Sequence, residues 1–310
     1  MTPSPAPDSP KPGRLTTWCR LLRLPNLFTV PGDPLAGFML ATGGLLDWRV
    51  AGAMATSLLL YSAGLLLNDY FDREVDARER PDRPIPSGAV KAGTVLAVGL
   101  ILLIAGVGLP WAMGHAGAGG VAAGIAVAVF AYDAGLKRVP WLGPLVMGCC
   151  RAGSVVLGGV FVYYPKMAPG VILAAAVAWA YTAVVTILAR GEAGGAPMGK
   201  KALLPSLALG AGGVAMAPFL SASGRARFFG IVFVLIAVGA TLQAGMAVQR
   251  GGAPVPPFIG RLIRAMIVVQ AAWCLWPTTS ETATPALLAA GALVLLRMGA
   301  EFSSRRFYGS

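Results

Sequence analysis

Apolar stretches of about 20 residues recur along almost the whole chain, and this recurrence limits the possible folds more than any other feature. A transmembrane helix needs about 20 predominantly apolar residues to cross a hydrocarbon core of roughly 30 Å. The 310 residues are 56% hydrophobic and 12% charged, whereas a soluble domain carries about 25% charged residues. The sequence therefore predicts an all-α integral membrane bundle and leaves no segment long enough for a soluble domain.

Apolar windows bounded by charged residues or proline predict nine to ten transmembrane helices. The last two windows are the weakest, because Pro277 and Pro285 leave only a short polar gap between them. The windows are 28–46, 50–68, 93–113, 118–136, 143–163, 168–189, 203–221, 228–249, 262–278 and 284–299. Residues 1–25 are basic and rich in proline, so we expect a disordered cytoplasmic tail followed by one transmembrane domain over residues 26–310.

Basic residues are distributed unequally between the two ends of these windows. With the N-terminus inside, 20 of the 25 Lys and Arg residues fall in inner segments and four fall in outer loops. By the positive-inside rule this predicts a multi-pass protein of the cell inner membrane whose inner loops are cytoplasmic. The asymmetry accounts for the net charge of +12 without nucleic acid as a partner. A basic inner face suits membrane lipids with anionic head groups and phosphorylated substrates.

Carboxylates gather in one inner segment, LLLNDYFDREVDARERPDRPIPSG, at the end of an apolar window. On a helix, Asn68, Asp69, Asp72 and Asp76 fall within one arc of about 100°, while Glu74 points away. Mg²⁺ suits such hard oxygen ligands, because it takes a few carboxylates together with water and phosphate oxygens. The alternative is a solvated charged loop with internal ion pairs.

Two short motifs carry a resemblance to a known family. NDYFDREVD, followed by RPIPSG, resembles the first aspartate-rich motif of the UbiA superfamily of intramembrane prenyltransferases. YDAGLKR, with Tyr132, Lys137 and Arg138, is similar to the basic Tyr–Lys–Arg loop of that family, with one extra residue between Tyr and Lys. The stretch RLPNLFTVPGDPLAG looks closest to the EboC-like branch. The resemblance covers nearly the whole chain.

The resemblance implies a UbiA-like bundle around a central cavity. It implies Mg²⁺-dependent transfer of a prenyl group from an isoprenyl diphosphate to an aromatic or other small acceptor at the cytoplasmic face. The metal ligands we expect are Asp69, Asp72, Asp76 and Glu192, and the catalytic residues are Asp72, Asp76, Lys137 and Arg138. The substrate-binding residues we expect are Asn68, Arg73, Arg83, Tyr132, Arg151, Arg190 and Lys201.

The second aspartate-rich motif of the family is not present in its usual form. TILARGEAGGAPMGKK, residues 186–201, contains Glu192 as its one carboxylate, flanked by Arg190 and Lys201. Either the cations replace the second metal ion, or the chemistry is lost, or this loop only anchors the inner face. A non-catalytic membrane protein that binds or transports a lipid or a prenyl-linked molecule is therefore the main alternative function. A secondary transporter ranks lower, because no second copy of the polar cluster occurs.

Two ionisable residues lie within the windows themselves. Asp33 follows Pro31 and Gly32, at a point where the first helix is interrupted, so its carboxylate is expected to face a polar cavity. Arg151 lies in the fifth window. Either residue serves the site, or both pair with other polar groups.

Overall fold

A computed structural model describes residues 13–162, 167–193, 198–219, 224–251 and 254–307. This part of the chain is predominantly helical and contains no strand. Its α-helices are α1 (Arg14–Leu21), α2 (Leu24–Leu27), α3 (Gly32–Thr42), α4 (Arg49–Phe71), α5 (Arg73–Glu79), α6 (Ala92–Ala112), α7 (Ala116–Ala134), α8 (Leu142–Val160), α9 (Pro169–Ala193), α10 (Leu204–Met216), α11 (Gly224–Gln249), α12 (Val255–Leu275) and α13 (Ala283–Phe307).

Within the described residues, eight helices are long and apolar enough to cross a membrane by length and composition: α4, α6, α7, α8, α9, α11, α12 and α13. The predicted all-helical membrane fold is confirmed, but the predicted count of nine to ten spans is not. Windows 28–46 and 203–221 contain α3, with 11 residues, and α10, with 13. At 1.5 Å per residue these helices reach about 16 and 20 Å, less than the hydrocarbon core. Helix α1 begins within the predicted disordered tail.

Proline and glycine determine where α3 begins and ends. Pro31 precedes its first residue, and Pro34 lies in the first turn, where a helix has no backbone hydrogen bond to lose. Gly43 ends the helix with φ at 69°, in the left-handed region that favours glycine. The short helix begins inside the bundle, and Asp33 in its first turn is fully buried.

Helices α3 and α8 approach each other closely because glycine faces backbone on both sides. A Cβ at Gly37 would overlap the Val155 carbonyl oxygen, and a Cβ at Gly158 would overlap the Pro34 carbonyl oxygen. Small residues allow such contact between membrane helices. This contact places the first half of α3 beside the C-terminal part of α8.

Helix α12 is the most enclosed of the long helices. Residues 264–275 are all buried, and the helix packs against α3, α9, α11 and α13. It therefore forms one wall of the protein interior and carries Gln270 into it.

Candidate active site

The acidic stretch lies at the junction of α4 and α5, where Asp72 is the single residue between the two helices. Asp69 and Asp76 are buried and share one cation: Arg83 Nη1 lies 2.7 Å from Asp76 Oδ2 and 3.5 Å from Asp69 Oδ1. Arg23 Nη2 also donates to Asp69 Oδ1, at 3.2 Å. Because an unpaired buried carboxylate is costly, these two arginines are what allow the acids to lie here.

Asn68 and Asp72 face the end of α7 instead. Asn68 Nδ2 donates to Asp133 Oδ1 at 2.9 Å, and Lys137 Nζ lies 2.7 Å from Asp72 Oδ1 and 3.6 Å from Asp133 Oδ1. Arg23 Nη2 lies 3.4 Å from Asn68 Oδ1 and so joins the two groups. The result is one continuous acid–base chain: Asp76, Arg83, Asp69, Arg23, Asn68, Asp133, Lys137 and Asp72.

The acids do not form the single metal cluster that the helical arc predicts. In the part of the chain that the structure describes, no group of three or more His, Cys, Asp or Glu is close enough to hold an ion. At 100° per residue, positions 68 and 72 occupy one half of the arc and positions 69 and 76 the other. The two halves therefore meet different neighbours.

The donor set nevertheless fits Mg²⁺ bound in its usual way. Mg²⁺ takes only one or two carboxylates and fills its other positions with water and substrate phosphate oxygens. Each ion pair of Asp69, Asp72 and Asp76 uses a single carboxylate oxygen. The second oxygen of each of these carboxylates is the one suited to a metal ion. A metal enclosed by protein ligands alone does not fit here.

A cavity of about 450 Å³ extends from the acid–base chain into the bundle. Arg23, Asn68 and Asp133 lie at its polar part, together with Tyr132. Most of the remaining wall is apolar and comes from α4, α7, α8, α9 and α12; it includes Leu60, Ile125, Val129, Val185, Ile263 and Met266. A charged part joined to an apolar space suits a ligand with an ionic head and a hydrocarbon tail.

A second polar group lies in the wall of the same cavity, where α3 meets α8. Asp33 Oδ2 lies 2.7 Å from Arg151 Nε, and Arg151 Nη2 donates to the Thr29 carbonyl oxygen at 2.9 Å. Gln270 Nε2 donates to Asp33 Oδ1 at 2.6 Å and to the Thr29 carbonyl oxygen at 3.1 Å. Asp33 and Arg151 thus pair with each other, and both also line the cavity.

Three predicted site residues line the cavity, and two others lie outside its lining. Asn68, Tyr132 and Arg151 line it. Arg83 belongs to the acid–base chain, as described above. Arg190 lies in α9 against the beginning of α8, where a Cβ at Gly143 would be 3.1 Å from Arg190 Nη1.

Other predicted residues lie elsewhere. The Arg73 guanidinium lies 4.5 Å from the centre of the Tyr70 ring and does not line the cavity, because position 73 is rotated by about 140° from Asn68, which does. Arg138 and Lys201 are exposed. Glu192 belongs to the last turn of α9, but its side chain lies outside the described residues.

Three residues of the site were not predicted from the sequence. Asp133 lies inside the YDAGLKR motif, four residues before Lys137, and from the sequence an ion pair between these two residues is a sufficient explanation for it. Arg23 adopts a left-handed backbone with φ at 43°, a strained conformation that is common at functional sites and that no sequence pattern announces. Gln270 lies in an apolar helix, and from the sequence a single amide side chain there does not indicate a functional site.

Residues 34–296 match the sequence profile of the UbiA prenyltransferase family. The chain belongs to this family. A digeranylgeranylglyceryl phosphate synthase from Methanoregula boonei is 35% identical over 132 residues, which are 41% of this chain and 45% of that protein. The synthase of the same name from Ignicoccus hospitalis is 33% identical over 148 residues, 48% of each chain. The matched part of this UbiA-family chain therefore spans about half the length of these curated relatives.

Solved structures show the same fold. A structure concerned with digeranylgeranylglyceryl phosphate synthase in membranes superposes with a TM-score of 0.62 at 18% identity, covering 85% of this chain and 98% of that one. A UbiA homolog from Archaeoglobus fulgidus bound to GPP and Mg²⁺ gives 0.55 at 12% identity, covering 91% and 99%.

These comparisons confirm the predicted superfamily through membership of the UbiA prenyltransferase family. They also confirm a multi-pass membrane protein. The finer placement in the EboC-like branch is not supported, because the relatives found carry the name digeranylgeranylglyceryl phosphate synthase.

Proposed function

We propose that the protein transfers a prenyl group from an isoprenyl diphosphate to a hydroxyl of a prenylated glyceryl phosphate, with Mg²⁺, at the cytoplasmic face of the membrane. The observation that carries this proposal is the cavity, which joins the acid–base chain to an apolar space. An isoprenyl diphosphate has the same division, with its charge at one end and a hydrocarbon tail at the other. The A. fulgidus homolog binds GPP with Mg²⁺.

The residues of the acid–base chain have a clear task in this reaction. Mg²⁺, when bound by Asp69, Asp72 or Asp76, would stabilise negative charge on the departing diphosphate. Arg23, Arg83 and Lys137 already lie beside these carboxylates. Their flexible side chains can exchange a carboxylate for a phosphate oxygen, which forms equally strong charged hydrogen bonds.

The bond changes balance as follows. The bond between C1 of the prenyl chain and the diphosphate oxygen breaks, and its electron pair leaves with the diphosphate. A lone pair of the acceptor hydroxyl forms the new C–O bond, and the hydroxyl proton is released. The apolar wall keeps water away from C1 while it carries positive charge.

We propose a glyceryl phosphate as the acceptor, whereas the resemblance implied an aromatic or other small acceptor. It is supported by the name of the relatives, whose product carries two geranylgeranyl groups on a glyceryl phosphate. The charge of the second loop is also consistent with it, since Arg190, Lys200 and Lys201 surround one carboxylate there. Cations at this position suit a second substrate that brings its own phosphate.

Turnover by the purified protein tests the proposal. Labelled geranylgeranyl diphosphate is incubated with a glyceryl phosphate that carries one geranylgeranyl group, with Mg²⁺ or with EDTA, and an aromatic acceptor such as 4-hydroxybenzoate serves as comparison. We expect Mg²⁺-dependent transfer to the glyceryl phosphate. Transfer to the aromatic compound alone would contradict the proposed acceptor. Tight binding of the diphosphate without any transfer would favour the alternative, a non-catalytic membrane protein that binds or transports a lipid or a prenyl-linked molecule.

A further inference from the structure

The cavity contains a second polar site that the reaction at the acid–base chain does not use. It consists of Asp33 on α3 and Arg151 on α8, and we call these two residues the inner polar site. Asp33 is fully buried, and its Oδ2 lies 2.7 Å from Arg151 Nε. Both residues line the same cavity as Asn68 and Asp133, but they belong to a different pair of helices.

Stability alone is a poor explanation for this ion pair. Replacing a buried ion pair with apolar residues of similar volume is often neutral or stabilising, because the charges must be desolvated. Ionisable residues within membrane segments almost always face the bundle interior or a water-filled cavity, and they mark substrate and ion pathways. The inner polar site therefore calls for a ligand rather than a structural role.

The site retains unused hydrogen-bonding capacity. Although Asp33 Oδ2 lies close to Arg151 Nε, it has no hydrogen bond of good geometry within the described residues. Arg151 donates to the carbonyl oxygen of Thr29 through Nη2 and lies 3.5 Å from the Thr29 hydroxyl through Nη1. A guanidinium has five N–H donors, so these contacts leave donors available to a ligand.

The prenyl diphosphate has no polar group that could bind at the inner polar site. A prenyl tail is a hydrocarbon and carries no polar atom beyond its diphosphate, so a cavity that served only the donor would need one polar part. A second polar part indicates a second substrate with a polar group of its own. Because Asp33 neutralises Arg151, the site favours an uncharged group that both donates and accepts a hydrogen bond. An alcohol hydroxyl is the simplest group that does both.

We propose that the inner polar site binds the hydroxyl of the acceptor, which donates to Asp33 Oδ2 and accepts from an N–H of Arg151. This inference rests on the proposed function, since it requires an alcohol acceptor that shares the cavity with the prenyl diphosphate. Asp33 and Arg151 then select the acceptor and hold its hydroxyl inside the cavity, while the acid–base chain binds the donor.

A double variant, Asp33→Leu with Arg151→Met, tests the site without leaving an unpaired charge. The probes are a glyceryl phosphate that carries one geranylgeranyl group and its analogue in which the free hydroxyl is capped as a methyl ether. We expect the parent protein to bind the hydroxyl form about tenfold more tightly or better, as for a lost hydrogen bond to a charged group. The double variant should bind both lipids equally, with an unchanged thermal midpoint and unchanged affinity for geranylgeranyl diphosphate.

The matched control removes another ion pair between helices. Arg264 Nε lies 3.2 Å from Glu301 Oε2, and neither residue lines the cavity. Arg264→Met with Glu301→Leu should retain the preference for the hydroxyl form.

Two results would overturn the inner polar site: a parent protein with no preference, or a double variant that keeps it. If the parent protein transfers prenyl groups but binds the hydroxyl and methyl ether forms equally, the inner polar site is wrong and the proposed function is not affected. If it binds neither lipid, the acceptor class fails together with the site.

Discussion

Lys137 Nζ lies 2.7 Å from Asp72 Oδ1. This ion pair joins the first acidic motif to the YDAGLKR motif, which lies far from it in the sequence. Asp72 follows α4, and Lys137 lies in the short turn after α7. The lysine side chain is largely enclosed, with 12% of its surface exposed. The charged contact with an enclosed ammonium holds the carboxylate in one orientation before any ligand arrives.

Asp72→Asn should weaken the Mg²⁺-dependent binding of geranylgeranyl diphosphate by at least about tenfold, because loss of a group that only supports a metal ligand already costs about 10–100-fold and here the ligand itself loses its charge. Lys137 keeps Asp133 as a partner, so the protein should remain folded. Isothermal titration with and without Mg²⁺ measures the change. Glu74→Gln is the control, because the Glu74 side chain is 78% exposed and pairs with Arg73. Unchanged affinity in Asp72→Asn would argue against a metal ligand at this position.

Arg83→Gln should make the stability of the protein depend on Mg²⁺. The change leaves Asp76 without its ion pair and Asp69 with Arg23 alone. We expect a loss of roughly 2 kcal/mol, less than for a fully buried pair because Arg83 is partly exposed. Thermal unfolding in detergent should show a lower midpoint in EDTA and a larger gain on adding Mg²⁺ than the parent shows. Arg78→Gln, at an exposed position of α5, should change neither value.

Gly158→Ala should destabilise the contact between α3 and α8. The added methyl group meets the Pro34 carbonyl oxygen, which belongs to the backbone and cannot rotate away. Overpacking of this kind costs about 1–3 kcal/mol and lowers the thermal midpoint. Gly120→Ala in α7 is the control, because nothing lies within 4 Å of the added Cβ there. If both variants melt with the parent, the close approach of the two helices is wrong.

Labelling from outside the cell tests the orientation. In a background without the native cysteines, Asp82→Cys lies in the acidic segment and Ala116→Cys at the beginning of α7, and both positions are exposed. Helix α6 alone separates them, and the positive-inside distribution places position 116 outside and position 82 inside. A membrane-impermeant maleimide should therefore label position 116 in intact cells and position 82 only after permeabilisation. The reverse result would invert the topology.

The membrane class, the long helices and the first acidic motif followed from the sequence, because each depends on local features. Hydropathy over about 20 residues reports the cost of burying one segment in lipid, whatever the segment contacts. Windows 28–46 and 203–221 show the limit of this signal. Both are apolar, yet their helices are too short to span the membrane alone, and prolines account for this in α3.

The partners of each polar side chain were decided by tertiary structure alone. Gln270 reaches Asp33 across 237 positions of sequence, and Arg23 reaches Asp69 across 46. In a soluble bundle the apolar face of each helix shows which side is buried. In lipid both sides are apolar, so periodicity no longer gives the rotation of a helix, and close packing of small residues fixes it instead. The sequence by itself thus determined the membrane fold, the family and the acidic motif. Only the packing of α3, α4, α7, α8 and α12 decided which charges meet and where the cavity lies.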